Sequence, residues 1–175
     1  MKRQETTKRK EVKVRITGLP SDRWEDFKKL RLESLKSDPL AFLSSYEEEV
    51  DFEKEVWQGR IKNVIFAVVK NEPIGMMTFI LRNRKKNDHV ADIFAVYVSR
   101  KYRGIGIGDR LLKRAIHLLK KNSDISKISL GVCVEQTPAV NLYLKNKFKV
   151  VGVLEKEMKV DGNFYDELIM ERSLM

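Results

Sequence analysis

Val96-Tyr97-Val98-Ser99-Arg100-Lys101-Tyr102-Arg103-Gly104-Ile105-Gly106-Ile107-Gly108-Asp109-Arg110-Leu111-Leu112 is the stretch around which the rest of the chain can be ordered. It begins inside an apolar run, Val90 to Val98, interrupted by Asp92, and such a run reads as a strand near the centre of a sheet. It ends in an amphipathic helix from about Gly108 to Lys121. Leu111, Leu112, Ala115, Ile116 and Leu119 fall on the inner face, and Arg110, Lys113, Arg114 and His117 on the outer one. Between strand and helix stand three glycines at alternate positions. Backbone N–H groups at a helix N-terminus are free to bind an anion, and the helix dipole favours negative charge there. Glycine adds close approach and the dihedrals of a nest of N–H groups. A loop that holds phosphate is one reading; a structural turn without ligand is the other.

Spacing removes two familiar phosphate loops. A dinucleotide fingerprint GxGxxG starting at Gly104 needs glycine where Asp109 stands, and one starting at Gly106 needs it where Leu111 stands. A triphosphate loop ends in Gly-Lys-Ser/Thr, whereas Gly108 is followed by Asp109-Arg110.

Upstream, Val12, Val14 and Ile16 alternate with charged residues and stop at Gly18-Leu19-Pro20, which predicts a half-buried strand and a turn. Ser21 or Asp22 is placed to cap a helix ending near Asp38. Trp24, Phe27, Leu30 and Leu35 lie on one side of it, opposite Glu25, Asp26, Lys29, Glu33 and Lys36. Phe42 to Tyr46 reads as an ordered loop and Phe52 to Ile61 as a short helix. Val64 to Val69 and Ile74 to Leu81 form a predicted hairpin around Asn71-Glu72-Pro73.

Downstream, Ile128 to Val134 is a predicted strand and Pro138 to Lys145 a short helix. Phe148 to Val160 and Phe164 to Glu171 are strands joined by Asp161-Gly162-Asn163. The order of elements predicts an α/β (α+β) sandwich around one mixed sheet.

The 175 residues, 42% of them hydrophobic, are enough for one sizeable core, so a single domain over residues 1–175 is expected, with residues 1–11 as a flexible basic leader. Lys and Arg number 35 against 25 Asp and Glu, a net charge of +10 that favours an anionic partner. The single Cys133 excludes an internal disulfide framework, and with only His89 and His117 no metal site is expected. The charged start has no apolar core of a secretory signal, and no segment reaches the roughly 20 apolar residues of a membrane span. A cytoplasmic protein without membrane association is expected.

The stretch Val96 to Leu112 closely resembles the coenzyme A signature of the GNAT superfamily of N-acetyltransferases, Arg/Gln-x-x-Gly-x-Gly/Ala, met by Arg103, Gly106 and Gly108. Ala139-Val140-Asn141-Leu142-Tyr143-Leu144-Lys145-Asn146-Lys147-Phe148 resembles the family's later helix and strand. Leu30 to Leu35 through Pro39 to Phe42 resembles the substrate-side helix and loop of its bacterial members. The resemblance implies a mostly antiparallel, mixed sheet of six to seven strands flanked by about four helices. It also implies acetyl-CoA as co-substrate and an amine acceptor.

By the same resemblance, Arg103, Gly104, Ile105, Gly106, Ile107, Gly108 and Asp109 hold the pyrophosphate. The backbone of Val96, Tyr97 and Val98 meets the pantetheine arm, and Gln136 and Asn141 are further cofactor contacts. Tyr143 takes the place of the general acid, and Asp92 that of a carboxylate that removes the amine proton. The other reading of Asp92 is a strand residue paired with Lys or Arg.

Two positions depart from the family pattern. The Gly usually preceding the aromatic residue is Lys147, which is expected to alter a turn, and the Asn commonly seven residues before the Tyr is Gln136. The function implied is acetyl transfer to a primary amine of a small molecule or peptide, by direct attack in a ternary complex. The alternative is a CoA-binding or nucleic-acid-binding module without turnover. A homodimer through a late edge strand is compatible with either.

Overall fold

The computed structural model describes residues 13–175, so Val12 and the basic leader expected over residues 1–11 lie outside the described residues. Seven strands follow in chain order: β1 (Arg15–Thr17), β2 (Val64–Val69), β3 (Glu72–Leu81), β4 (Val90–Val98), β5 (Lys127–Cys133), β6 (Lys149–Val160) and β7 (Asn163–Ser173). The helices are α1 (Trp24–Ser37), α2 (Tyr46–Glu49), α3 (Lys54–Arg60), α4 (Ile107–Lys120) and α5 (Thr137–Lys145). The strands form one sheet in the order β1-β2-β3-β4-β5-β7-β6, antiparallel throughout except for β4 and β5. The mixed, mostly antiparallel sheet expected from the sequence is therefore present.

Period-two alternation explains how both faces of this sheet are covered. In β2, Ile65, Ala67 and Val69 pack under α4, while Val64, Phe66 and Val68 meet α1 and α3. Every residue of β2 is buried, as a strand covered on both faces requires. Trp57 and Phe66, both fully buried, meet Phe27 edge-on at ring-centroid distances of 5.4 and 5.8 Å. Burying a side chain of this size contributes about 1.5–3 kcal/mol, which fixes α1 and α3 to the sheet.

Some local expectations are corrected. The first turn of α1 has no side-chain cap from Ser21 or Asp22; those residues form a short 3-10 turn, and Arg23 stands at the cap position. The segment after Phe42 contains a short helix, α2, secured by a capping box in which Ser45 and Glu48 bond reciprocally. The β2–β3 hairpin turns at Lys70-Asn71 instead of Asn71-Glu72-Pro73. Both turn residues have positive φ (47° and 71°), as a two-residue hairpin that matches strand twist demands. Pro73 lies inside β3 beside a register shift, where a missing N–H is tolerated.

Lys147 itself adopts φ 65°, the conformation glycine takes without strain. A lysine thus bears this turn at a cost of about 1–2 kcal/mol. Lys147→Gly is expected to raise stability by up to about 1 kcal/mol, the relief being offset in part by a more flexible unfolded chain. A denaturation midpoint that falls in this variant would contradict that account.

Candidate active site

The two parallel strands are paired at their beginnings and then part. β4 and β5 share the register pairs Val90↔Lys127, Ala91↔Ile128 and Asp92↔Ser129, and beyond Asp92 neither strand has a partner across the gap. A bulge drives the divergence: between the β3 positions Thr78 and Met76, one residue faces two of β4, Ala95 and Val96. Ala95 is held at φ 51°, a left-handed conformation that costs a non-glycine residue about 1–2 kcal/mol. The result is a cleft of about 520 Å³ between the strands, with a free backbone edge along one wall.

The glycine loop stands at the end of β4. Gly104 and Gly106 have φ 78° and 81°, and a Cβ at either would meet nothing within 4 Å, so the loop surface lies open. The backbone N–H groups from Gly104 to Asp109 have no backbone acceptor among the described residues; the next donor, Arg110 N–H, reaches the Gly106 carbonyl at 3.1 Å. Six backbone N–H groups at the N-terminus of a 14-residue helix are therefore left without a backbone acceptor among the described residues, the arrangement that favours an anion. Ile107 is buried and anchors the helix start, Ile105 is exposed, and Gly108 packs closely on Leu142 of α5. Asp109 is held below its ordinary pKa by hydrogen bonds from Lys113 and Asn146, tying α4 to the end of α5.

The cationic side chains near this loop point elsewhere. Arg103 donates to both Asp38 carboxylate oxygens (2.6 and 3.2 Å) and to the Val98 carbonyl (2.8 Å), and lies over the Tyr97 ring. Burial alone would raise the Asp38 carboxyl, but the hydrogen bonds from Arg103 and Ser37 and the charges of Arg103 and Arg100 hold it below its usual range. Arg100 donates to the Ser37 carbonyl and Arg110 to the Val14 carbonyl. Arg103 and Arg100 thus close the C-terminal end of α1, where exposed carbonyls favour cations. The Tyr97 side chain faces α1, with its hydroxyl on Glu33 and Ser37, so it is the backbone of Tyr97 that borders the gap.

Inside the cleft the structure brings together Asp92, Val96, Gln136 and Tyr143 from the sequence-derived set, whereas Asn141 is exposed on α5 away from the lining. Asp92 receives a two-point pair from Arg82 (2.7 and 2.8 Å), which engages both of its carboxylate oxygens. Tyr143 is buried at 4% exposure and packs against Phe148, and burial raises its phenol well above the ordinary value. Cys133 is a buried free thiol on the same lining.

Two further residues were not visible from the sequence. Arg31 of α1 lines the cleft while its Nε and Nη2 grip Glu49 at 3.0 and 2.8 Å. Glu167 of β7, 9% exposed, faces the cleft among apolar neighbours. Both are polar residues at core positions, and the pairings that put them there span distant parts of the chain.

Comparison with known proteins gives a consistent outcome. A family model described as the acetyltransferase (GNAT) family matches residues 24–148. The chain is 25% identical over 122 residues to an L-amino acid N-acetyltransferase, AaaT, of Escherichia coli, covering 67% of this chain and 75% of that protein. Its fold is similar to that of a GNAT-family acetyltransferase from Streptococcus pneumoniae, with a TM-score of 0.82, 22% identity, and coverage of 92% of this chain and 99% of the other. It is also similar to the fold of yncA from Salmonella typhimurium, solved with its cofactor acetyl-CoA, with a TM-score of 0.78, 15% identity, and coverage of 93% and 95% respectively.

Proposed function

The chain belongs to the acetyltransferase (GNAT) family, and from that membership we propose that the gap between β4 and β5 is where an acetyl group passes to an amine. The enzyme is an acetyl-CoA-dependent N-acetyltransferase. The observation that carries the site is the adjacency of two unsatisfied backbone surfaces: the free edge of β4 and the N–H cradle of Gly104 to Asp109.

These surfaces fit the two halves of acetyl-CoA. The N–H groups of residues 104–109 hold the pyrophosphate, and the backbone of Val96, Tyr97 and Val98 offers donors and acceptors to the pantetheine amides as a missing strand would. When bound, acetyl-CoA supplies an activated acyl group, a thioester whose C–S bond breaks as the amide forms. Arg103 acts by position, holding the end of α1 against β4 through Asp38. Gln136, at the start of α5, supplies an amide to the cofactor side of the cleft.

Tyr143 gives its proton to the departing thiolate. Its burial keeps the proton on the phenol until a basic sulfur stands beside it. A carboxylate must take the amine's proton, and Asp92, already paired with Arg82, can do so through water. The acceptor is the primary amine of a small molecule or peptide, attacking directly in a ternary complex. The name of the Escherichia coli relative supports a free amino acid as the first acceptor to try.

The test is thiol release from acetyl-CoA across a panel of amino acids, polyamines and short peptides, alongside the thermal shift produced by acetyl-CoA. Turnover with at least one amine is expected; a shift without turnover on any amine would leave a binding protein. Gly106→Ala is expected to weaken acetyl-CoA by about tenfold or more, equivalent to about 1.4 kcal/mol. The left-handed conformation at φ 81° is strained by a side chain, and the new methyl group intrudes on the anion space. A titration of the thermal shift that superimposes on that of the unaltered protein would remove this loop from the site.

No helix among the described residues is long and apolar enough to cross a membrane, which supports a cytoplasmic enzyme. Self-association is supported by the edge strand β6, which leaves Val150, Val151, Val153 and Leu154 exposed. Light scattering across a concentration series would read a dimer directly.

A further inference from the structure

The cleft contains a carboxyl group that the scheme above leaves idle. Glu167 stands on β7 opposite Cys133 of β5, and its side chain leans over the next cleft-facing position of β5, Gly131. A Cβ at Gly131 would lie 2.4 Å from Glu167 Oε1 and 2.6 Å from Cδ, so the absence of a side chain there is what gives the carboxyl its place. Glu167 is nine-tenths buried, and among the described residues no side chain or backbone group donates a hydrogen bond to it. Its oxygens face the open cleft, so their acceptor capacity is left to whatever enters there.

We propose that Glu167 is the group that receives the acceptor's ammonium and removes its proton, so that the preferred acceptor is a primary amine presented as its cation. The proposal rests on the acetyl-transfer reading of the cleft. The proton balance runs through three groups. One proton of R–NH3+ passes to the Glu167 carboxylate and from there to solvent. The nitrogen lone pair of R–NH2 then forms the N–C bond as the C–S bond breaks. The second nitrogen proton passes through water to Asp92 and on to the Tyr143 phenolate, which has given its own proton to the departing sulfur, so that the sulfur leaves as a thiol.

Geometry favours Glu167 over Asp92 for direct contact. Asp92 already holds Arg82 at two points, whereas Glu167 has its full acceptor capacity free. The titratable and charged groups around the same space are Arg31 from α1, Arg82 beyond β3, Asp92 from β4, Cys133 from β5, Tyr143 from α5 and Glu157 from β6. Burial, and after it the negative charge of Glu157, raises the Glu167 carboxyl above its ordinary value, toward that of the amine it must deprotonate.

The experiment compares Glu167→Gln with the unaltered protein on an amine that the panel shows to be turned over. The Gln variant is expected to lose about 100-fold or more in kcat/KM, to lose the acidic limb of the pH profile, and to keep the acetyl-CoA thermal shift. Its melting temperature at neutral pH should be equal or higher. The raised carboxyl favours its protonated form when folded, so its ionisation removes stability as pH rises between the unfolded and folded values, and glutamine does not ionise. If the Gln variant folds poorly, Glu167→Asp carries the test through displacement of the acidic limb.

An active unaltered protein beside a Gln variant within threefold of it, with the acidic limb in place, overturns the proposal alone. So does a limb unmoved in the Asp variant, or one lost in Asp92→Asn and kept in Glu167→Gln. A protein that releases no thiol with any amine overturns the acetyl-transfer reading, and the proposal with it.

Discussion

Tyr143→Phe is expected to cut turnover by about 100-fold while leaving the acetyl-CoA thermal shift in place. The substitution removes one oxygen from a ring that is 4% exposed and packed on Phe148 at a centroid distance of 5.8 Å. The ring's contacts survive, and no hydrogen bond to another described residue is lost with the hydroxyl, so the fold should be as stable as before or slightly more so. A loss confined to kcat therefore separates proton donation from packing. Turnover unchanged in the Phe variant would take the acid role away from Tyr143. A loss matched by a fall in melting temperature would make it a structural residue.

The second large effect lies in the wall behind the cleft. Glu49→Ala is expected to destabilise the protein by about 3–5 kcal/mol, because it leaves Arg31 buried without its counter-ion. Glu49 is 2% exposed and accepts from Arg31 at two points, with Arg60 at 3.2 Å as a second cation. Arg31 Nη1 already has no partner, so nothing is at hand to compensate. At about 2–4 °C per kcal/mol for a chain of this size, the melting temperature should fall by roughly 6–20 °C.

The same pair sets a pH dependence. Burial would raise the Glu49 carboxyl, but the Arg31 hydrogen bonds and the charges of Arg31 and Arg60 outweigh it and depress the value below 4.5. A depressed carboxylate contributes stability that is present above its unfolded value and lost as pH falls through its folded one. The stability lost between pH 5 and strongly acid conditions should therefore be smaller in Glu49→Ala. Arg31→Met combined with Glu49→Leu should recover much of the neutral-pH loss, and a double variant no better than the single one would contradict the ion-pair account.

The sheet and the glycine loop were legible because each is written in local pattern. Alternation set the strands, the 3.6-residue period set α4, and three glycines between them marked the loop of free N–H groups. What stayed hidden depends on residues that meet across the chain. The family signature places Arg103 at the pyrophosphate, but its pairing with Asp38, 65 positions away, has no local sign in the sequence. Asp92 was read with two possible roles, and the Arg82 pair forms ten positions back across a hairpin. Glu167 reads as one more charged residue in a strand until the β5–β7 register sets it over Gly131. The Lys70-Asn71 turn was missed because Pro73 outweighed two residues able to take positive φ.

The parting of β4 from β5 also bears on how the chain is assembled. Strands β1 to β4 join as antiparallel neighbours in sequence order, and β5 to β7 make a second antiparallel group; three register pairs, Val90 to Asp92 with Lys127 to Ser129, are the ladder between them. The β2–β3, β3–β4 and β6–β7 hairpins close over short separations, whereas β1–β2, β5–β7 and the β4–β5 joint all pair residues far apart in the chain, so the joint is one of three long-range closures. The core that spans both, with Leu111 and Leu112 of α4 beside Ile128 and Met170, makes α4 the clasp. The place where β4 and β5 part is thus also the seam of the sheet, where two antiparallel groups of strands are held to one another by three register pairs and one helix.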